Sequence, residues 1–162
     1  MNFIYKIISK TDINVSHRQI VAQMLEEQQK VESPYERKAD RCKFICIVTD
    51  NEIPIAMGAI KEKTKKDFTS AKANLSEYAN KFEWELGYMY VKKGYEGLGI
   101  ATTIVKKLFT QFGEGNLMAS TEITENPGMV KILKKYGFIH YGKTWKSVKH
   151  ENDLGLFLRF KQ

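Results

Sequence analysis

The sequence predicts an α+β fold: a mixed, mostly antiparallel twisted sheet of about six or seven strands with helices packed on both faces. Three observations predict it. Short apolar stretches of strand character recur along the chain, amphipathic stretches of helical period fall between them, and a strand, glycine-turn and helix unit occupies the middle. The charge and motif arguments below depend on where these elements fall.

Residues 3–8 form the first expected strand, and 15–29 an amphipathic helix with Ile20, Val21, Met24 and Leu25 on one stripe. Ser33-Pro34 is expected to start a second, more polar helical segment. The apolar runs 44–48 and 53–60, separated by the turn 49–52, predict a hairpin. The lysine-rich stretch 61–81 reads as a surface excursion with one short helix near 71–79. A strand resumes at 84–91 and runs into Lys92-Lys93-Gly94-Tyr95-Glu96-Gly97-Leu98-Gly99-Ile100-Ala101. Apolar residues at Ile100, Ala101, Ile104, Val105, Leu108 and Phe109 then follow the spacing of a helix lying on a sheet. Residues 116–121 form another strand. Asn126-Pro127 opens a helix with the stripe Met129, Ile132, Leu133 and Tyr136, which Gly137 closes. Strands at 138–141 and 154–160 complete the chain.

At 162 residues with 43% hydrophobic content, one domain spanning 1–162 is expected. A chain of this length buries roughly 70% of its unfolded surface around one core. No run of about 18 apolar residues appears, and MNFIYKIISK has neither the apolar centre nor the cleavage site of a signal peptide. No membrane partner and a cytoplasmic location are therefore expected. Cys42 and Cys46, with no second Cys or His cluster, read as buried thiols and predict no metal site. His17, His140 and His150 are scattered, so nucleophilic catalysis is not indicated. The net charge is +7, with 14 basic and 13 acidic residues in 1–91 but 12 and 6 in 92–162. The excess thus lies with the glycine turn, where a polyanionic cofactor accounts for it as well as a nucleic acid does.

A strand ending at Val91, glycines at 97 and 99, and a helix starting near Ile100 make an anion-binding turn. Glycine lets the backbone approach a phosphate, and the N–H groups of a first helical turn point at it. The spacing is neither that of a Walker A loop nor that of a dinucleotide-binding fingerprint.

At this point the sequence resembles the GNAT acetyltransferase superfamily, from the first strand to the last. Three blocks carry the resemblance. Glu96-Gly97-Leu98-Gly99-Ile100-Ala101 is similar to the family's Gln/Arg-x-x-Gly-x-Gly/Ala turn, Glu85-Leu86-Gly87-Tyr88-Met89-Tyr90-Val91 to its fourth strand, and Asn126 with Gly137-Phe138 to its Asn-(x)10-Gly-Phe block. Two positions depart. Glu96 stands in place of Gln or Arg, so it is expected to turn outward and leave binding to backbone N–H groups and Lys92 or Lys93. Leu133 occupies the place of a tyrosine that protonates the departing thiolate.

The resemblance implies an acetyl-CoA-dependent N-acetyltransferase that moves an acetyl group directly to a primary amine. It implies that the pantetheine arm pairs with the backbone of Met89, Tyr90 and Val91. The pyrophosphate would lie on Glu96, Gly97, Leu98, Gly99, Ile100, Ala101 and Thr102, with Asn126 also touching CoA. The Met89 N–H would then donate to the thioester oxygen. An amine of pKa near 10 is about 0.1% neutral at pH 7, so a general base helps. The resemblance points to Glu85, with Glu83 second on the same strand face. Tyr136, one turn beyond Leu133, is the candidate acid, and water is the alternative. Each of these residues also has a plain structural reading, Glu85 as a backbone anchor, Asn126 as a helix cap and Tyr136 as packing.

The expected acceptor is a small-molecule or peptide amine, its identity not set by the sequence. The absence of an acidic pocket in 18–41, 61–81 and 143–153, which the resemblance assigns to the acceptor site, speaks against polyamines and aminoglycosides. A homodimer is left open. Two other readings compete, a non-catalytic acyl-CoA sensor and a basic binder of nucleic acid or ribosome; thioester turnover distinguishes the first, and steep salt dependence of polynucleotide binding the second.

Overall fold

The computed structural model describes residues 1–161. Its sheet has seven strands, β1 (Phe3–Ser9), β2 (Cys42–Asp50), β3 (Ile53–Glu62), β4 (Trp84–Val91), β5 (Leu117–Glu122), β6 (Ile139–Lys146) and β7 (Asp153–Arg159), in the order β1-β2-β3-β4-β5-β7-β6. The pairings β1–β2, β2–β3, β5–β7 and β6–β7 are antiparallel, and β4–β5 is parallel. The mixed sheet of the expected class is thus present, with α1 (Val15–Gln28), α2 (Ile100–Phe112) and α3 (Pro127–Lys135). The residues group into two compact units, 1–61 with 86–113, and 62–85 with 114–162.

In the first unit the two faces of β2 and β3 carry different helices, because successive side chains of a strand alternate. Ile45, Ile47, Met57 and Ala59 form one cluster with Val21, Met24 and Leu25 of α1. On the opposite face a Cβ on Gly58 would meet Ile104 of α2 at 2.6 Å and would also collide with the Met89 thioether. Helix α1 starts where its sequence says it should. Asn14 Oδ1 accepts the His17 N–H at 3.0 Å, and His17 Nδ1 accepts the Asn14 N–H at 3.1 Å. This reciprocal cap satisfies two of the donors that a helix start leaves over. The β2–β3 hairpin closes more tightly than the expected four-residue turn, through Asn51 (φ 48) and Glu52 (φ 69) alone. Two left-handed residues match the twist of paired strands. A register shift between Val48 and Thr49 sits opposite Pro54, which has no N–H to give the ladder.

Two expectations fail. The polar segment after Ser33-Pro34 is not an α-helix; only a 3₁₀ turn over Lys38–Arg41 forms, with Ala39 its one buried residue. A single apolar anchor cannot bury a helical stripe. The stretch 61–81 is not a surface excursion, and the helix near 71–79 is absent. It forms 3₁₀ turns over Lys65–Phe68 and Ser76–Lys81, and places Phe68, Ala73 and Ala79 in the core of the second unit with Phe82, Met118, Trp145, Leu156 and Leu158. Its course is fixed by main-chain bonds, including Lys143 N–H to the Ala73 carbonyl at 3.1 Å.

At Gly142 (φ 75) a Cβ would collide with that same Ala73 carbonyl and approach Leu75 Cδ1 at 2.9 Å. Gly142→Ala should therefore cost about 2–4 kcal/mol, since backbone cannot yield as a side chain can. Gly128→Ala, with nothing within 4 Å of the added carbon, should be neutral or slightly stabilising. Thermal unfolding of the two variants checks the contrast; equal melting temperatures would mean that 73–75 does not dock on β6.

Candidate functional site

Strand β4 carries Met89, Tyr90 and Val91 directly into the turn 92–99 and α2, all in the first unit. The strand is irregular at one point: Tyr88 has φ 52, although it is not glycine. Its ring packs in the α1 cluster, with the Lys61 ammonium 5.1 Å from the ring centroid. Met89 follows this kink. Its carbonyl accepts Gln28 Nε2–H at 2.6 Å, and its thioether lies over Gly58.

The turn has the geometry that an anion needs. Gly94, Gly97 and Gly99 have φ of 95, 75 and 78, and nothing lies within 4 Å of where a Cβ would stand at any of them. Gly99 is the N-cap of α2 and offers no side chain to it, and the first turn of α2 contains no acidic residue. The N–H groups of Ile100, Ala101 and Thr102 are those that an α-helix start cannot pair internally. Thr103 anchors the turn from within, its N–H and Oγ1–H both donating to the Gly99 carbonyl, at 3.1 and 2.9 Å. Ile100 is buried and fixes the helix, whereas Leu98 is half exposed. Backbone donors, an aligned helix and open approach fit a phosphate group.

The charges around the turn divide in two. Glu96 is exposed. Lys92 is paired to Glu27 at 3.6 Å, and Tyr90 Oη donates to the other Glu27 oxygen at 3.4 Å. Burial, then Glu27, then the more distant Glu96 push the Tyr90 phenol up.

The other candidates lie in the second unit. Glu85 is 5% exposed, its strand partner is Met118, and its Oε1 accepts the Thr64 N–H at 2.8 Å. Glu83 is exposed, and its carbonyl accepts the Lys63 N–H at 3.1 Å. Asn126 caps α3 by accepting the Met129 N–H at 3.3 Å and bridges to Thr121 Oγ1 at 3.5 Å. Tyr136 stands at the opposite end of that helix, as its C-cap, under the Lys135 ammonium. Leu133 is fully buried and belongs to the core.

Several contacts carried no sequence signal. Gln28 is an ordinary polar residue at a helix end. His150, which looks isolated in the sequence, meets buried Glu122 at 3.3 Å, and Asn152 Nδ2–H donates to the same carboxylate at 3.2 Å. No group of three or more metal-ligating side chains exists among the described residues. No described helix is long and apolar enough to cross a membrane.

A family model described as the acetyltransferase (GNAT) family matches residues 6–138. No curated protein sequence matches the chain. Among solved structures, the NatC complex bound to Gag peptide and CoA is similar at 17% identity, with 100% of each chain covered and a TM-score of 0.71. Naa50 of Arabidopsis thaliana in complex with the bisubstrate analogue CoA-Ac-MVNAL is similar at 11% identity, 96% and 97% coverage, and a TM-score of 0.68. The ribosomal-protein-S18-alanine N-acetyltransferase of Escherichia coli is similar at 12% identity, 96% and 93% coverage, and a TM-score of 0.63.

The two thiols take no part in this arrangement. Cys42 and Cys46 are free and buried, and burial pushes each up to about 12. Both should resist iodoacetamide at pH 8 in the native protein and react once it is unfolded. Because a neutral thiol is favoured in the fold, stability should fall as pH rises from about 9 towards 12, where only the unfolded chain ionises. Rapid native alkylation would contradict both statements.

Proposed function

The chain belongs to the acetyltransferase (GNAT) family, whose acyl donor is acetyl-CoA, and we propose that it transfers the acetyl group directly to a primary amine of a small molecule or peptide. The observation that supports this best is the open turn at Gly97 and Gly99 running into the uncapped start of α2, immediately after the kinked strand β4. We read 1–162 as one catalytic domain working in the cytoplasm. Two of the similar structures contain CoA or a CoA conjugate with a peptide, which favours a peptide or small amine over a polynucleotide.

In this reading the backbone N–H groups from Glu96 to Thr102 hold the pyrophosphate, Met89 to Val91 pair with the pantetheine arm, and Asn126 adds a contact. Lys93 is the better placed of the two lysines to neutralise phosphate, because Lys92 is engaged by Glu27. The donor supplies a thioester already activated towards amines. The Met89 N–H donates to the carbonyl oxygen as negative charge builds there. Glu85 takes the proton from the attacking amine. The thiol leaves with a pKa near 8.5, so one proton from Tyr136 or water completes the exchange without a strong acid.

Acetyl-CoA should raise the melting temperature, since at one hundred times its dissociation constant a native-state ligand adds about 2.7 kcal/mol. Gly99→Val should abolish that shift, because a β-branched residue is strained at φ 78 and its methyls would occupy the open approach. A Gly99→Val protein that keeps the full shift would reduce the turn to an ordinary helix start.

Glu85→Gln separates the two roles of this residue. The amide oxygen can still accept the Thr64 N–H, so the fold should persist, whereas proton acceptance is lost. Turnover should fall on the order of 10²- to 10⁴-fold with the acetyl-CoA melting shift intact, and the remaining rate should rise more steeply with pH as more of the amine is already neutral. Normal turnover by Glu85→Gln would move the base to Glu83 or remove it from the mechanism. Thioester turnover over a panel of amines decides between this reading and a sensor that binds without releasing thiol.

A further inference from the structure

The last turn of α1 makes three contacts with the end of β4. Gln28 Nε2–H donates to the Met89 carbonyl at 2.6 Å, Glu27 Oε2 accepts Tyr90 Oη–H at 3.4 Å, and Glu27 Oε1 pairs with the Lys92 ammonium at 3.6 Å. The helix ends immediately beyond, at Gln29, which turns left-handed (φ 60) and returns its N–H to the Leu25 carbonyl. Two consecutive helical residues therefore hold Met89, Tyr90 and Lys92, and Gln28 alone acts on the main chain of the strand.

That main chain is the least regular part of β4. Tyr88 sits at φ 52, a conformation that a bulky residue keeps only where its surroundings over-determine it. On one side of Met89 the peptide plane is set by Tyr88, whose ring is held in the α1 cluster beneath Lys61. On the other side the plane contains the carbonyl that Gln28 grips. The Met89 N–H lies in the first of these rigid planes, and fixing the second limits rotation about the Met89 Cα, so the N–H has little room to swing. The residue type suits the task. A glutamine amide has hydrogens to donate, whereas a glutamate would set an acceptor against an acceptor.

We propose that Gln28 is a positioning residue for acyl transfer: by donating to the Met89 carbonyl it fixes the backbone beyond the Tyr88 kink and so aims the Met89 N–H at the carbonyl oxygen of the acyl group. The catalytic consequence rests on the acetyltransferase reading above; the bond and its effect on the strand do not. A donor aimed in advance strengthens as charge builds in the reaction and matters little to ground-state binding. The loss of Gln28 should therefore appear in kcat and not in cofactor affinity.

The experiment compares wild type with Gln28→Ala, Gln28→Met and Gln28→Glu by NMR and by thioester turnover over an amine panel. In wild type a coupling across the hydrogen bond should link the Gln28 side-chain nitrogen to the Met89 carbonyl carbon. In the Ala and Met variants the amide resonances of Tyr88, Met89 and Tyr90 should shift or broaden, while the melting temperature changes by no more than about 4 °C. Their kcat should fall about 10²-fold, the cost of a small misplacement, with the KM for acetyl-CoA and its melting shift within about twofold of wild type. For Gln28→Glu the rate relative to wild type should rise from pH 8 to pH 5, because a protonated carboxyl regains a hydrogen to donate. Unchanged kcat with unchanged amide resonances in the Ala and Met variants overturns the proposal. So does a parallel loss of cofactor binding and melting temperature, which marks a purely structural contact. A wild-type protein that shows no turnover overturns the acetyltransferase reading and the catalytic role with it, and the NMR comparison still decides whether Gln28 holds the strand.

Discussion

Tyr88 at φ 52, inside a strand, is the constraint around which the first unit is arranged. A left-handed tyrosine costs on the order of 1–3 kcal/mol and is kept only when packing leaves it no alternative. Here its ring is buried with Met24, Leu25 and Met57, and Lys61 lies over its face. The residue after it is wedged as well. Met89 can lie over β3 only because position 58 is glycine, and Ile104 of α2 closes the same space. Strand β3 and both helices thus meet at a two-residue step of β4. Tyr88 and Tyr90 face the α1 cluster while Met89 faces Gly58, and the glycine turn follows within a few residues.

What could be read from the sequence follows from how strongly each residue type limits its own backbone. The glycines at 97 and 99 were legible because a left-handed φ just before a helix leaves few other choices, and both have one. Helix α2 was legible because Ile100, Ile104, Val105 and Leu108 fall on one stripe, and all are buried. The stretch 61–81 was not. Its buried apolar residues Phe68, Ala73 and Ala79 follow neither a period of 2 nor one of 3.6, since 3₁₀ turns held by main-chain bonds dictate their direction. Lysines between them disguise a core element as surface. The segment after Ser33-Pro34 failed in the opposite way: its polar residues suit a helix, but only Ala39 and part-buried Tyr35 reach the core, too few for a helical face.

The site was half legible for a related reason. Residues that act through their backbone, such as Gly99, show in a motif; residues that act by reaching across the fold do not. Gln28 and Met89 are separated by 61 positions, and Glu122 and Asn152 by 30. Nothing local in a glutamine at a helix end indicates which carbonyl it will find. Tyr88 hides for a different reason, since a tyrosine in a strand pattern predicts an extended conformation and only the packing around it imposes another.

The opposite end of β4 poses the question of whether one carboxylate can both build and act. Strand β3 ends at Glu62, and the next two N–H groups, of Lys63 and Thr64, go to the Glu83 carbonyl and to Glu85 Oε1. Glu85 therefore finishes a ladder that the main chain alone does not complete. That bond takes one of about four lone-pair sites on a carboxylate. In the proposed reaction it would also give Glu85 what an exposed base lacks, a fixed orientation in a buried setting. Glu83, two residues earlier and exposed, has no such hold. The same strand is then secured at its start by a buried carboxylate and near its end by Gln28, in both cases through a side chain that meets main chain.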